Sequence, residues 1–383
     1  MQEIPKGGQF LDAALMFLPE SDWPRLVEAA VQRLRESIEN EAAASVILHA
    51  SLQCVQALHP FLPELFQMEE RLQAFFGVFP WRASGDLHLD FLTRMLHAEP
   101  ASLSETEAEE IRWRAFRALL ETRLPEALRQ AWEALPAFKM TSEPLRWSLW
   151  EKDYEQKESG FRRLPLGVVR HLQFPEGYVE RFGYWKDRDL PTWESLPAES
   201  YRYRFGGVME GLCSLCGSPL HHLITFDPLL DGMGVTGLSQ LSLATCLYCI
   251  GYKEHWLFFR HDAEGKPAAS KAPETPHSPQ FSIPPLLETQ VAIAETPPRW
   301  RWQDWGSSDG RENLHRLGGH PCWIEPAEFP TCPRCNCTMP FLMQLDTGLK
   351  TAEGWSLSWG DSGIAYLFWC DACRISAMMY QCA

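Results

Sequence analysis

The sequence predicts an α+β chain, with an N-terminal all-α helical array followed by a β-rich duplicated module. Three observations predict it. Apolar residues recur at helical spacing over residues 1–140, broken by capping and proline signals. Beyond about residue 140 that period fades, and aromatic and β-branched residues come in short runs among prolines and glycines. Within this second part, four Cys-x-x-Cys pairs fall into two matching sets.

Ser21-Asp22 ahead of Trp23-Pro24 is an N-cap followed by a proline near the first helical position. Leu26, Ala29, Ala30, Leu34 and Ile38 then carry a helix to Glu39. Further helices are expected over 41–58, 63–76, 87–97 and 125–135. Ser104 and Glu107 have capping-box spacing ahead of an apolar run over 111–120. Short connections suggest an antiparallel array. His49, His59, His88 and His97 are scattered through it and read as packing or surface residues.

In the second part, Tyr201-Arg-Tyr-Arg-Phe205 alternates before Gly206-Gly207, and 253–260 reads as a strand. Residues 262–285 are proline-rich and lack large apolar side chains over most of their length, which predicts an exposed connection. The domain reading is 1–140 helical, 141–262 a first β-rich copy, 263–299 a linker and connection, and 300–383 a second β-rich copy.

Superposing Cys216 on Cys335 aligns the copies. Asp227 and Asp346 then coincide, and upstream Arg204-Phe-Gly-Gly207 matches Arg316-Leu-Gly-Gly319 at a different spacing. Strands are expected before and after the second pair of each copy. Self-similarity of this kind changes the fold reading, so it takes precedence over local signals.

The cysteines carry the chemistry. Cys213, Cys216, Cys246 and Cys249 form one set, and Cys332, Cys335, Cys370 and Cys373 the other. Two thiols on each of two facing turns make a tetrahedral four-sulfur site, the geometry of structural Zn²⁺. Two zinc ions are therefore expected. With four thiolates per ion no position is left for water or substrate. Gly217 and Asn336 tolerate the positive φ of a tight turn. Cys337 aligns with Ser218 and Cys382 with Phe258, so Cys54, Cys322, Cys337 and Cys382 are read as thiols outside the metal sites.

Acidic residues outnumber basic ones, for a net charge of −15, and neither half is basic. The footprint of a nucleic-acid binder is missing, and the balance suits solubility or capture of a basic protein partner. Met1 to Leu18 makes a poor signal peptide, and no uncharged apolar run is long enough for a membrane span. Cys-x-x-Cys pairs in a long chain then read as metal ligands in a reducing cytosol. No catalytic signature stands out. Adjacent His221 and His222 would point to opposite faces of a strand. The glycine pairs lack a phosphate-loop context. The chain is expected not to be an enzyme; the alternative class is an enzyme of unknown reaction using His222, His320 or Cys322.

The segment 314–383 resembles the superfamily of bacterial YwqG-like domains and eukaryotic programmed cell death protein 2. The resemblance rests on Gly318, Gly319, Pro321 and Trp323, then Phe341, Leu342 and Gln344, then Tyr366 and Phe368 running into Cys370. It covers about 70 residues. The first copy, about 200–262, matches loosely: it keeps Gly206-Gly207 and the cysteines, and has Thr225 where Gln344 stands. The resemblance implies protein binding. Eukaryotic members chaperone a basic ribosomal protein, and bacterial relatives look like immunity proteins that neutralise toxins. The function expected is a cytosolic zinc-stabilised protein that occludes a cognate toxin. The alternative is a chaperone or adaptor for a basic endogenous protein. Trp300, Trp302, Trp305, Trp323 and Phe341 are the candidate contacts.

Overall fold

A computed structural model describes residues 15, 18–37, 40–72, 86, 89–97, 104–122, 124–134, 154–157, 160–165, 167–180, 196–268, 283–296 and 313–382. The chain divides into two compact units, Met1–Arg163 and Leu164–Ala383. The α+β class holds: helices come first, and an antiparallel sheet follows.

The first unit contains α1 (Trp23–Glu36), α2 (Glu41–Gln53), α3 (Leu62–Leu72), α4 (Leu89–Leu96), α5 (Glu105–Thr122) and α6 (Pro125–Ala134), then a hairpin of β1 (Tyr154–Lys157) and β2 (Gly160–Arg163). On α1, Trp23, Val27, Ala30, Val31 and Leu34 lie on one buried face, as a 3.6-residue period requires. Asp22 holds the N-cap position without a side-chain bond, and the helix stops at Glu36 because Ser37 is extended. In α2 the cap is Asn40, whose side chain accepts from the amide of Ala43. Ahead of α5, Glu107 accepts from both the amide and the hydroxyl of Ser104, and Ser104 Oγ accepts from the amide of Glu107. These bonds hold the Glu107 carboxyl below its usual pKa. The chain passes into its second unit after Arg163, so the β1–β2 hairpin lies with the helices.

The second unit holds one eleven-stranded sheet among the described residues. Its strands are β3 (Arg170–Gln173), β4 (Tyr203–Phe205), β5 (Val208–Leu212), β6 (Pro219–Phe226), β7 (Leu241–Thr245), β8 (Leu257–Arg260), β9 (Thr289–Glu295), β10 (Arg316–Leu317), β11 (Phe341–Asp346), β14 (Ile364–Cys370) and β15 (Ile375–Gln381). The order is β5-β6-β4-β9-β3-β10-β11-β14-β15-β8, with β7 on the other edge of β6. A small hairpin of β12 (Leu349–Lys350) and β13 (Ser356–Leu357) sits between β11 and β14 in sequence. The central strands β11 and β14 are buried along their whole length, which is why they read as continuous apolar runs.

The two cysteine-bearing stretches occupy matching registers. Phe205 pairs with Ile224, and Leu317 with Met343. The amide of Gly206 donates to Leu223 O at 3.0 Å, and that of Gly318 to Leu342 O at 2.8 Å. A bulge falls between His222 and Ile224 on β6, and between Phe341 and Met343 on β11. Each pair stands at the same distance from Cys216 and Cys335. Gly206 and Gly318 have φ of 76° and 64°, a region where only glycine is free of strain.

The stretch 263–299, expected as a connection, contributes β9 to the middle of the sheet; residues 269–282 and 297–299 lie outside the described residues. β9 pairs with β4, beside the first cysteine set, whereas β3 pairs with β10, beside the second. β3 and β9 also pair with each other, Leu172 opposite Ile293. Each strand therefore crosses over to extend the stretch that does not follow it directly. At the far ends, the turn after β8 reaches β7: Ser242 N donates to Gly265 O at 2.8 Å, and His261 N donates to Arg374 O at 2.8 Å.

Candidate metal centres

Each cysteine pair sits where a β-hairpin approaches the sheet. The amide of Gly217 donates to Cys213 O at 2.9 Å, and that of Asn336 to Cys332 O at 3.0 Å. Gly217 and Asn336 both take left-handed φ, 73° and 57°, as the tight turns demanded. The hairpins close alike: Cys213 N donates to Ser218 O at 2.8 Å, and Cys332 N to Cys337 O at 2.9 Å. The second pair of each set begins where β7 and β14 end, with Cys249 N donating to Cys246 O and Cys373 N to Cys370 O.

These turns bring four thiols together in each set, with all four sulfurs within 4.8 Å of one another. In the first set, Cys213 and Cys249 lie 3.7 Å apart, and Cys216 and Cys246 3.6 Å. In the second, Cys335 and Cys370 lie 3.6 Å apart. A tetrahedral metal with sulfur bonds of about 2.3 Å needs edges of about 3.8 Å. Both sets therefore bring four thiols close enough to hold a metal ion. They are the groups of this kind among the described residues.

The electrostatics of the thiols point the same way. Cys213 is pulled down to about 5, chiefly by the hydrogen bond from Cys246. Cys246 is pushed up by that same bond, and Cys249 to about 12 by burial. In the second set Cys335 is lowered to about 6, first by the backbone at Cys337, while burial raises Cys370 and Cys373. Four thiols this close cannot all ionise on their own; a dication removes the conflict.

Supporting bonds differ between the sets, and the sequence did not signal them. His221 Nδ1 accepts from the amide of Leu247, inside the Cys246–Cys249 turn. Burial lowers the pKa of His221, which keeps that nitrogen available as an acceptor. At the second set, Asp371 accepts from the amide and hydroxyl of Thr236 and from the indole of Trp369. Spacing alone could not show either bond, because Leu247 and Thr236 are distant in sequence from the residues they meet.

His222 is buried, bonded to Gly206 O at 2.8 Å and to Thr225 Oγ1 at 2.8 Å. Cys322 is buried with its sulfur 3.0 Å from Arg316 Nη2, and the carbonyl of His320 accepts from the same guanidinium. His221 and His222 do meet different partners, as expected of neighbours on a strand. Phe341 is 3% exposed and packs edge-on against Phe368, so its ring belongs to the core and is corrected as a surface contact. Trp323 is half-buried, tilted over Tyr366 at 4.7 Å. Trp300, Trp302 and Trp305 lie outside the described residues. No helix among the described residues is long and apolar enough to cross a membrane.

The chain is similar to the uncharacterized protein YpfL of Salmonella typhimurium. The two are 26% identical over 187 residues, which is 44% of this chain and 38% of that protein. No protein family matches the chain, and no solved structure does.

Proposed function

We propose that each cysteine set holds one zinc ion and that the chain is a zinc-stapled scaffold for binding another protein, acting as an immunity protein that occludes a cognate toxin. The observation that carries the structural role of the metal is the closure of both sets. Four thiolates at tetrahedral separations complete the coordination, which suits a fold-holding ion rather than one that binds substrate. The matching registers support a duplicated zinc-ribbon module whose leading strands, β3 and β9, are exchanged between copies.

For binding, the support is the resemblance of 314–383 to YwqG-like domains, together with apolar side chains left exposed at corresponding places. Val168 and Leu287 stand one residue after the carbonyls that accept from Gly319 and Gly207, and both face solvent. The net charge of −15 favours a basic partner in the cytosol, and this also supports the second reading, a chaperone for a basic endogenous protein.

The test is co-expression of the chain with the products of adjacent genes, scored by growth and by co-purification. The immunity reading expects rescue from one toxic product and a stable complex with its folded domain. Binding confined to an unfolded basic segment would instead favour the chaperone. A catalytic turnover lost on replacing His222 or Cys322, with fold and metal retained, would overturn both.

A further inference from the structure

We infer that the second cysteine set is an oxidation-sensitive metal centre, in which Cys335 and Cys337 are the pair that forms a disulfide. The inference rests on the reading that this set holds zinc.

The two sets differ in what they show to solvent. All four thiols of the first set are buried, and a serine, Ser218, stands where the second set has Cys337. At the second set the ligand candidate Cys335 and the neighbouring Cys337, which is outside the set, are both exposed on the same turn. Asn336 between them is left-handed, and the Cys337 thiol folds back to within 3.7 Å of the Cys335 carbonyl. The backbone bond from Cys332 to Cys337 and the bridge between Thr331 and Thr338 hold all three cysteines on one hairpin. Cys332 is fully buried on that hairpin. An oxidant arriving from solvent therefore meets Cys335 first, and Cys337 is the nearby thiol that solvent also reaches.

The chemistry balances with hydrogen peroxide as the oxidant. The Cys335 thiolate attacks one peroxide oxygen, the O–O bond breaks, and a sulfenic acid and a hydroxide form; the hydroxide takes a proton from solvent to become water. The Cys337 thiol attacks the sulfenic sulfur, the S–O bond breaks, and the disulfide and a second water form. In total one thiolate and one thiol lose two electrons and one proton, and with one further proton from solvent the peroxide becomes two waters. Three thiolates, Cys332, Cys370 and Cys373, are left where the set had four, too few for a closed site. A thiol reductant restores the fourth. The first set lacks both the exposed ligand and the neighbouring thiol, so the same oxidant leaves it intact.

The experiment uses the full chain, with zinc measured before any oxidant is added. Hydrogen peroxide follows, and zinc release is read with a metallochromic dye while alkylation and peptide mapping locate the disulfide. The expected result is loss of one of the two zinc ions, a Cys335–Cys337 disulfide, and recovery of both thiols and zinc with dithiothreitol. Cys337→Ser places in this turn the residue that the first turn already carries; the Cys335 sulfenic acid then has no partner thiol and is oxidised further by peroxide to the sulfinic acid, so the expected result is no disulfide on this turn and a second zinc that dithiothreitol does not restore. Simultaneous loss of both ions, a Cys332–Cys335 disulfide, or full recovery of the second zinc by oxidised C337S with dithiothreitol would overturn the inference. Fewer than two zinc ions before oxidation would instead defeat the metal reading on which it rests.

Discussion

The amide of Leu247 donates to His221 Nδ1 at 3.2 Å, so a histidine on β6 holds open the turn that carries Cys246 and Cys249. Outer bonds of this kind fix ligand geometry and typically change metal affinity by about 10–100-fold when removed. His221→Phe is therefore expected to release metal from the first set at lower chelator concentration than the parent chain, with the second set unchanged. Competition with a chelator of known affinity measures both.

Cys370→Ser and Cys337→Ser separate ligand from neighbour. Removing Cys370 leaves three thiolates and should destabilise the second unit by several kcal/mol, since metal binding and folding are coupled. Removing the exposed Cys337 should change stability by no more than about 0.5 kcal/mol. Denaturant unfolding of the two variants checks this, and equal effects would mean that the ligand had been misassigned.

Gly206 and Gly318 test the matching registers. A Cβ at Gly206 would lie 2.4 Å from Leu287 O, and one at Gly318 2.6 Å from Val168 O. Both positions are left-handed. Alanine at either is expected to cost at least about 1–2 kcal/mol from the backbone conformation alone, before any clash. Similar losses of thermal stability support equivalent roles; a harmless substitution at one site contradicts them.

Acid sensitivity should come from buried histidines. Burial lowers His315 to about 3 and His261 to about 4. The amide of Asp346 donates to His315 Nδ1, which must stay unprotonated for that bond to exist. Above the unfolded pKa of about 6.5 neither state binds the proton, and there is no effect. As pH falls through that value the unfolded chain takes up protons that the folded chain refuses. Stability then drops by about 1.4 kcal/mol per pH unit for each such histidine, until the folded pKa is reached. Unfolding midpoints measured between pH 7 and pH 4.5 should fall along this slope, and His315→Asn should flatten it.

The hydroxyl of Tyr366 donates to the carbonyl of Cys322 at 2.6 Å in a fully buried position. Tyr366→Phe leaves that carbonyl without this donor and is expected to cost about 1–3 kcal/mol. Differential scanning calorimetry reads the loss.

What was legible in the sequence was local. Ser104 and Glu107 announced their capping box, because both partners lie within one turn. The Cys-x-x-Cys pairs announced their turns, and comparing the copies left out Cys337, which lies outside the four-thiol set. What was hidden depends on distant pairing. β9 follows a proline-rich stretch and reads as a connection until β3 and β4, far away in sequence, are seen on either side of it. Phe341 looked like a contact because aromatic residues serve both cores and interfaces. Only the placement of β11 between β10 and β14 shows its ring in the interior.

The central claim is that two closed thiolate sites hold the β unit together. Metal analysis with native mass spectrometry, on chain purified without added metal, tests it most directly. The account predicts two zinc ions per chain. One ion, none, or a different metal in either site would contradict it.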